Sequence, residues 1–290
     1  MAHNSYYKYT LYPPLRREPA YLRQAVHLAR STGGIASATT VLFRRANITV
    51  HVVGDVSGWN QASAGTLLIG DHRDRFEVGP LLAVLGGFPR EDIHFIQKPF
   101  SKNARLFRSL GSRGEDIPLP VIPQTLAGDR SNVFNRDLWW RMLLRGGLPT
   151  AADLRALNME SLDRAARAVS DGRLVSLYPA GGCMDAAKKP WQRGIGRIIK
   201  LLSHEARERV QVVLFRFDDF STLKISRSLR QQERGIRSEP YAVTLRLGAQ
   251  GSVYDLLGEE APIDYLSAEE ITVRLRQRFV EPFRSTAPVV

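Results

Sequence analysis

The sequence predicts an α/β fold: a mixed, largely central β-sheet flanked by helices, with a helical segment at the N-terminus. Three observations predict it. Short runs rich in β-branched residues, such as Ile48-Thr49-Val50-His51-Val52-Val53, have the length and alternation of strands. Stretches with apolar residues at helical spacing separate them, and strands alternating with helices argue for a layered α/β core. The longest apolar runs, Gly33 to Phe43, Leu81 to Leu85 and Val210 to Phe217, are short or diluted by polar residues. None approaches the roughly 18 to 20 residues that span a bilayer.

The elements follow in order. Residues 19–43 read as two helical pieces split at Gly33-Gly34, the first carrying Leu22, Ala25, Val26 and Ala29 at helical spacing and the second ending in Arg44-Arg45. An apolar face bordered by arginines suits a membrane interface or packing on the core. Residues 1–45 therefore stand as a helical, membrane-associating or core-packing segment, and 46–290 as one domain. The strand from Ile48 is followed by a turn at Ser57-Gly58-Trp59-Asn60 and a second strand ending at Gly70. Asp71 with Asp74 has the spacing of an N-cap and a first-turn acid, predicting a helix to Leu85. Ile93 to Ile96 is a third strand, Phe100 to Leu110 a basic helix, and 112–150 a loop-rich insertion with an aromatic helix at Trp139-Trp140. Helices over Asn158–Asp171, Gly194–Ala206 and Glu269–Phe279 enclose strands at Arg173–Tyr178, Val210–Phe217 and Ala242–Gly248.

Composition bounds the function. The chain has 290 residues, 43% of them hydrophobic and 24% charged, enough for a sizeable core. Its net charge is +12, and only seven of its 41 basic residues are lysine. Arginine binds phosphate in bidentate fashion, so nucleic acid and anionic lipid are both open as partners. Zinc-finger spacing, an aromatic RNP-type pattern and a basic heptad region are all absent, which makes nucleic acid the weaker option. No signal-peptide h-region is visible in Met1 to Tyr12, and the single cysteine, Cys183, has no intramolecular partner. Both fit a reducing cytoplasm.

The richest stretch is Leu67-Leu68-Ile69-Gly70-Asp71-His72, with Glu77 five positions after the histidine. Here a buried strand gives way to a helix, and an acid stands close enough to orient an imidazole. Histidine suits proton removal from a hydroxyl near neutral pH, since its ordinary pKa is about 6.5. Three later blocks follow in order: Lys98-Pro99-Phe100-Ser101-Lys102 through Gly111, Tyr178-Pro179-Ala180-Gly181-Gly182, and Arg193-Gly194 opening a helix before the strand Val210 to Phe215.

These four blocks, from about Val50 to Phe279, resemble the glycerolipid acyltransferase family, the PlsC-type and glycerol-3-phosphate acyltransferase-like enzymes. The resemblance implies that His72 is the general base on an acceptor hydroxyl and that Glu77 orients it. Asp74 is the other candidate orienter, with helix capping as its alternative role. The donor would be acyl-CoA or an acyl-carrier protein, the acceptor a lysophospholipid- or glycerol-phosphate-like hydroxyl. No metal or bound cofactor is implied, because a thioester is already activated. Asp71, Pro179, Gly181, Gly182 and Gly194 join the substrate-binding set. Lys188, Lys189, Arg193, Lys98, Lys102, Arg105, Arg113 and Arg130 are its candidate cations.

The chain departs from the family at telling positions. Glu77 replaces the usual aspartate, and Ala180 stands where a glutamate is usual. The stromal plant enzymes share the Lys-Pro-Phe-Ser block but place arginines where this chain has Cys183, Met184 and Asp185. Cys183 as an acyl-enzyme nucleophile competes with the histidine mechanism but lacks a base nearby in sequence. His94 reads as a packed strand residue, His27 as a surface or packing residue, and His3, His51 and His204 lack a setting that suggests a role. Two rival functions remain: a catalytically degraded lipid- or acyl-carrier-binding protein, and a basic nucleic-acid-binding protein. The expected location is cytoplasmic and peripheral to an anionic membrane.

Overall fold

The computed structural model describes residues 27–29, 31–32, 34–56, 59, 65–70, 78–86, 93–97, 117–118, 151–180, 190–258 and 262–284. The strands among them are β1 (Ile48–Val53), β2 (Thr66–Gly70), β3 (Ile93–Gln97), β4 (Ile117–Pro118), β5 (Leu174–Leu177), β6 (Gln211–Asp218) and β7 (Tyr241–Ser252). They form one sheet in the order β1-β7-β6-β2-β5-β3-β4. Neighbours run parallel except β6 and β7, so the sheet is mixed and β2 lies at its centre. The predicted α/β class is the one observed.

Helices cover both faces. On one side lie α1 (Ile35–Arg45), α2 (Val78–Leu85) and α6 (Thr222–Glu233). On the other lie α3 (Ala151–Ser170), α4 (Gly194–Leu201), α5 (His204–Arg209), α7 (Val253–Leu257) and α8 (Ala268–Arg284). The pleat sorts the central strands between these layers. Leu67, Ile69, Val175, Leu177, Val212 and Leu214 meet α3, α4 and α8, while Leu68, Val213, Phe215 and Phe217 meet the opposite layer. Helical spacing explains the helix faces: Leu162, Ala165, Ala166 and Val169 of α3 are buried, as are Ile271, Leu275 and Phe279 of α8.

The structure refines several predicted boundaries. The single helix expected over Gly194–Ala206 is two, because Leu202 is extended and the Ser203 hydroxyl accepts from the Ala206 amide, starting α5 afresh. α3 starts seven residues before the expected Asn158, and β7 continues past Gly248 to Ser252 through an irregular register opposite β6. α6 and α7 were not expected. α7 begins with a capping box, Ser252 and Asp255 exchanging bonds. That bonding holds the Asp255 carboxyl below its ordinary pKa. The apolar residues of α1, Ala36, Ala38, Leu42 and Phe43, are buried in the core, while Arg44 and Arg45 are exposed. Among the described residues no helix is long and apolar enough to cross a membrane.

Strand lengths shape the edge that matters. Ile69 is level with Leu177 and Gly70 with Phe215, so β2 and β5 end together at their carboxyl ends. Leu247 pairs with Phe215, and β7 reaches six residues further, to Tyr241 beside Ile48. The β6–β7–β1 ribbon thus projects roughly 20 Å past the end of β2 and walls one side of that edge.

α4 and α8 approach closely at Gly196. A Cβ there would lie 1.9 Å from the Ala268 carbonyl oxygen, and the Gly196 amide donates to Thr272 Oγ1 at 3.2 Å. Gly196→Ala is expected to destabilise the fold by about 1–3 kcal/mol through overpacking, measurable by denaturant unfolding. A neutral result would mean the two helices can separate freely.

Candidate active site at the carboxyl edge of the sheet

The first and third sequence blocks begin where β2 and β5 end, side by side. Gly70 closes β2, and its Cβ position is taken: an added methyl would meet the Phe215 ring at 2.3 Å. Only glycine fits there. The Tyr178 ring stands edge-on to Phe215, with centroids 6.1 Å apart, so the end of β5 leans on the same phenylalanine. Phe215 is fully buried and also meets Phe217 edge-on at 5.8 Å. One aromatic ring of β6 therefore fixes the ends of both neighbouring strands.

The fourth block is tied to the third. The Gln192 amide donates to the Pro179 carbonyl at 2.8 Å. Trp191 anchors the return, buried and edge-on to Phe279 of α8 at 5.2 Å. α4 then begins at Gly194, with Arg193 at its N-cap, at the edge where β5 has just ended. Its amide dipoles favour negative charge there. Arg193 is exposed and bonded to Glu269 of α8 at 2.9 Å.

The projecting ribbon carries residues that sequence reasoning missed. Its face toward α1 and α6 is apolar, with Phe217, Val243 and Leu245 buried. Alternation puts Arg216, Asp218 and Arg246 on the opposite face. The Arg246 Nε donates to Asp218 Oδ2 at 2.7 Å, and the Arg216 Nε is ion-paired with Asp218 Oδ1 at 2.9 Å. Arg216 and Arg246 are directly opposed on antiparallel strands, an arrangement that repels unless a carboxylate intervenes. The signal available was an arginine interrupting the apolar run Val210 to Phe217, with an acid two residues later on the same face.

Of the predicted site residues, Pro179, Arg193 and Gly194 are described, and the hydrogen bond from Gln192 brings them together. His72, Glu77, Asp71, Arg113, Arg130, Gly181, Gly182 and Lys188 lie outside the described residues, as do Asp74, Cys183 and Lys98 to Arg105. His94 is buried in β3 level with Val175, toward the amino ends of the strands, with the Arg173 guanidinium 3.3 Å from its Nε2. It stands away from the candidate edge. His51 is exposed on β1, and His204 lies 3.6 Å from Glu208 on α5. Among the described residues no cluster of His, Cys, Asp and Glu could hold a metal.

No protein-family model matches the chain, and no curated protein matches it. Among solved structures it is similar to the 1-acyl-sn-glycerophosphate (LPA) acyltransferase PlsC from Thermotoga maritima, at 13% identity and a TM-score of 0.42, over 92% of this chain and 80% of that one.

Proposed function

We propose that the chain is an O-acyltransferase working at an anionic membrane surface. It would move a fatty acyl group from acyl-CoA or acyl-carrier protein to a hydroxyl of a lipid precursor. The observation that carries this reading is the register of the sheet. β2 and β5, which lead into the histidine block and the Pro-x-Gly block, are adjacent, parallel and end level. Ligands of such sheets gather outside the carboxyl ends of the strands. Gly70 and Tyr178, 108 residues apart in sequence, thus stand at the same edge.

In the proposed reaction His72 Nε2 or Nδ1 takes the proton of the acceptor hydroxyl, and Glu77 orients the ring and stabilises the imidazolium. The hydroxyl oxygen attacks the thioester carbonyl, the C–S bond breaks and an ester forms. The thiol leaves with the proton from the imidazolium. Dipoles at the start of α4 favour the negative charge that develops on the carbonyl oxygen.

The sequence departures support a particular kind of acceptor: Cys183, Met184 and Asp185 stand where the stromal plant enzymes place arginines. Among the described cations, Arg193 is paired with Glu269, and Arg216 and Arg246 with Asp218. A small dianion leaving water needs paired charge that is not already engaged. Glycerol 3-phosphate is therefore expected to be a poor acceptor and a lipid-borne hydroxyl a better one. Competition among lysophospholipids, monoacylglycerol and glycerol 3-phosphate, followed by ester product, tests this. Efficient, saturable acylation of glycerol 3-phosphate at micromolar concentration would contradict the acceptor assignment. The absence of ester from every acceptor would contradict the reaction itself.

A further inference from the structure

We propose that the outer face of α6, with the turn that follows it, is the surface by which this chain docks on an anionic lipid membrane. This assigns a place to the membrane contact proposed above, and it does not require that acyl transfer occur.

The inner face of α6 is occupied: Ile225, Ser228 and Leu229 are buried against the sheet layer that holds α1. The outer stripe reads Leu223, Arg227, Arg230, Arg234, a spacing that aligns side chains along one face. All four are exposed, and Arg237 is exposed beyond the turn. Among the described residues none of these arginines is paired with a carboxylate. Arg230 reaches only Ser226 Oγ, at 3.2 Å.

Several helix arginines elsewhere are neutralised in place. On α3, Arg164 and Arg167 each face an acid one turn earlier, Glu160 and Asp163, and on α5 Arg209 faces Glu205. α6 and its C-cap carry Lys224, Arg227, Arg230 and Arg234 against a single acid, Glu233, which makes no ion pair with them among the described residues. Arg227, Arg230 and Arg234 stand three and four residues apart, a spacing at which like charges repel. An anionic partner relieves that repulsion.

The choice of lipid over nucleic acid rests on the apolar residues at the ends of the row. Leu223 is 70% exposed and Ile236 is 52% exposed. Basic residues beside exposed aliphatic ones match an interface where headgroups meet acyl chains. Phosphate backbones offer the aliphatic side chains nothing.

The surface also continues onto α1 and toward the candidate site. Ser238 Oγ donates to the Ala46 carbonyl, and Asn47 Nδ2 donates to the Ser238 carbonyl at 3.1 Å. These bonds bring the turn after α6 beside Arg44 and Arg45, both exposed. At the other end of the helix the Tyr241 hydroxyl donates to the Asp219 carbonyl. Burial raises the pKa of that phenol, so it remains a donor at neutral pH. Both ends of α6 are thus fastened to the tip of the ribbon that walls the carboxyl edge, and docking through α6 brings that edge to the lipid.

Sedimentation of the full chain with vesicles tests the proposal. Wild type is expected to bind vesicles of phosphatidylcholine and phosphatidylglycerol in equal parts at low salt, and to bind pure phosphatidylcholine weakly. Arg227→Glu, Arg230→Glu and Arg234→Glu together should lower the partition coefficient at least about a hundredfold. Leu223→Ser with Ile236→Ser should lower it roughly tenfold or more. A control reversing Arg164, Arg167 and Arg209 makes the same change in net charge and should retain binding, with circular dichroism confirming that each variant is folded. Equal loss in the control and the α6 variant would overturn the proposal, as would undiminished binding by a folded α6 variant. Preferential retention on RNA, with no binding to anionic vesicles, would overturn it in favour of nucleic acid. Thiol release in detergent micelles reads the acyl-transfer reaction separately and should be unchanged in the α6 variants.

Discussion

Replacing His72 by alanine is expected to lower acyl transfer by about 10²- to 10⁴-fold, the usual contribution of a positioned general base, with the fold retained. The loss should fall on turnover, because the proton moves in the transition state and not on binding. His94 supplies the contrast. It is buried among packed residues toward the amino ends of the strands, beside Arg173. His94→Gln should therefore keep transfer in the folded fraction. A folded His72→Ala protein turning over near the wild-type rate would remove the proposed base. Glu77→Gln should lower the rate as well, since an amide leaves the imidazolium without its counter-charge. If Glu77→Asp raised the rate, the longer acid would be a geometric compromise in this chain.

Phe215→Ala carries the largest expected effect on stability. The ring is fully buried, fills the space over Gly70, and meets Tyr178 and Phe217 edge-on. Truncation to alanine empties that space, and large-to-small changes of this kind cost about 3–5 kcal/mol. Because the same ring braces the ends of β2 and β5, transfer should fall in the folded fraction as well. Chemical denaturation gives the first quantity and acylation per folded molecule the second. A loss of stability without any change in rate would separate the phenylalanine from the candidate site.

The layered α/β architecture was legible because its central strands are short, apolar and wholly buried, as in Leu67-Leu68-Ile69 and Leu174-Val175. Local periodicity suffices for such elements. The end of the Gly194 helix was less legible: Ser203 caps a new helix, but the apolar spacing around it runs on without a visible break. α6 escaped notice because its outward stripe is arginine and its inward face includes Ser228, which dilutes the helical period. The Arg216–Asp218–Arg246 group was hidden for another reason. Arg246 is 30 residues from Arg216 in sequence, and only the antiparallel register of β6 and β7 makes them neighbours. The same limit applied to Gly70 and Tyr178, whose blocks were recognised separately. That Gly70 and Tyr178 share one edge follows from strand pairing, a long-range property of the fold.

Thiol release from acyl-CoA, measured with and without a hydroxyl acceptor, tests the central claim most directly. Purified wild type supplied with a lysophospholipid should release free thiol and form ester in equal amounts. Release should fall to background when the acceptor is withheld, and in His72→Ala. Binding of acyl-CoA or lysophospholipid by wild type without acceptor-dependent thiol release would contradict the account and leave a lipid-binding protein in place of an enzyme.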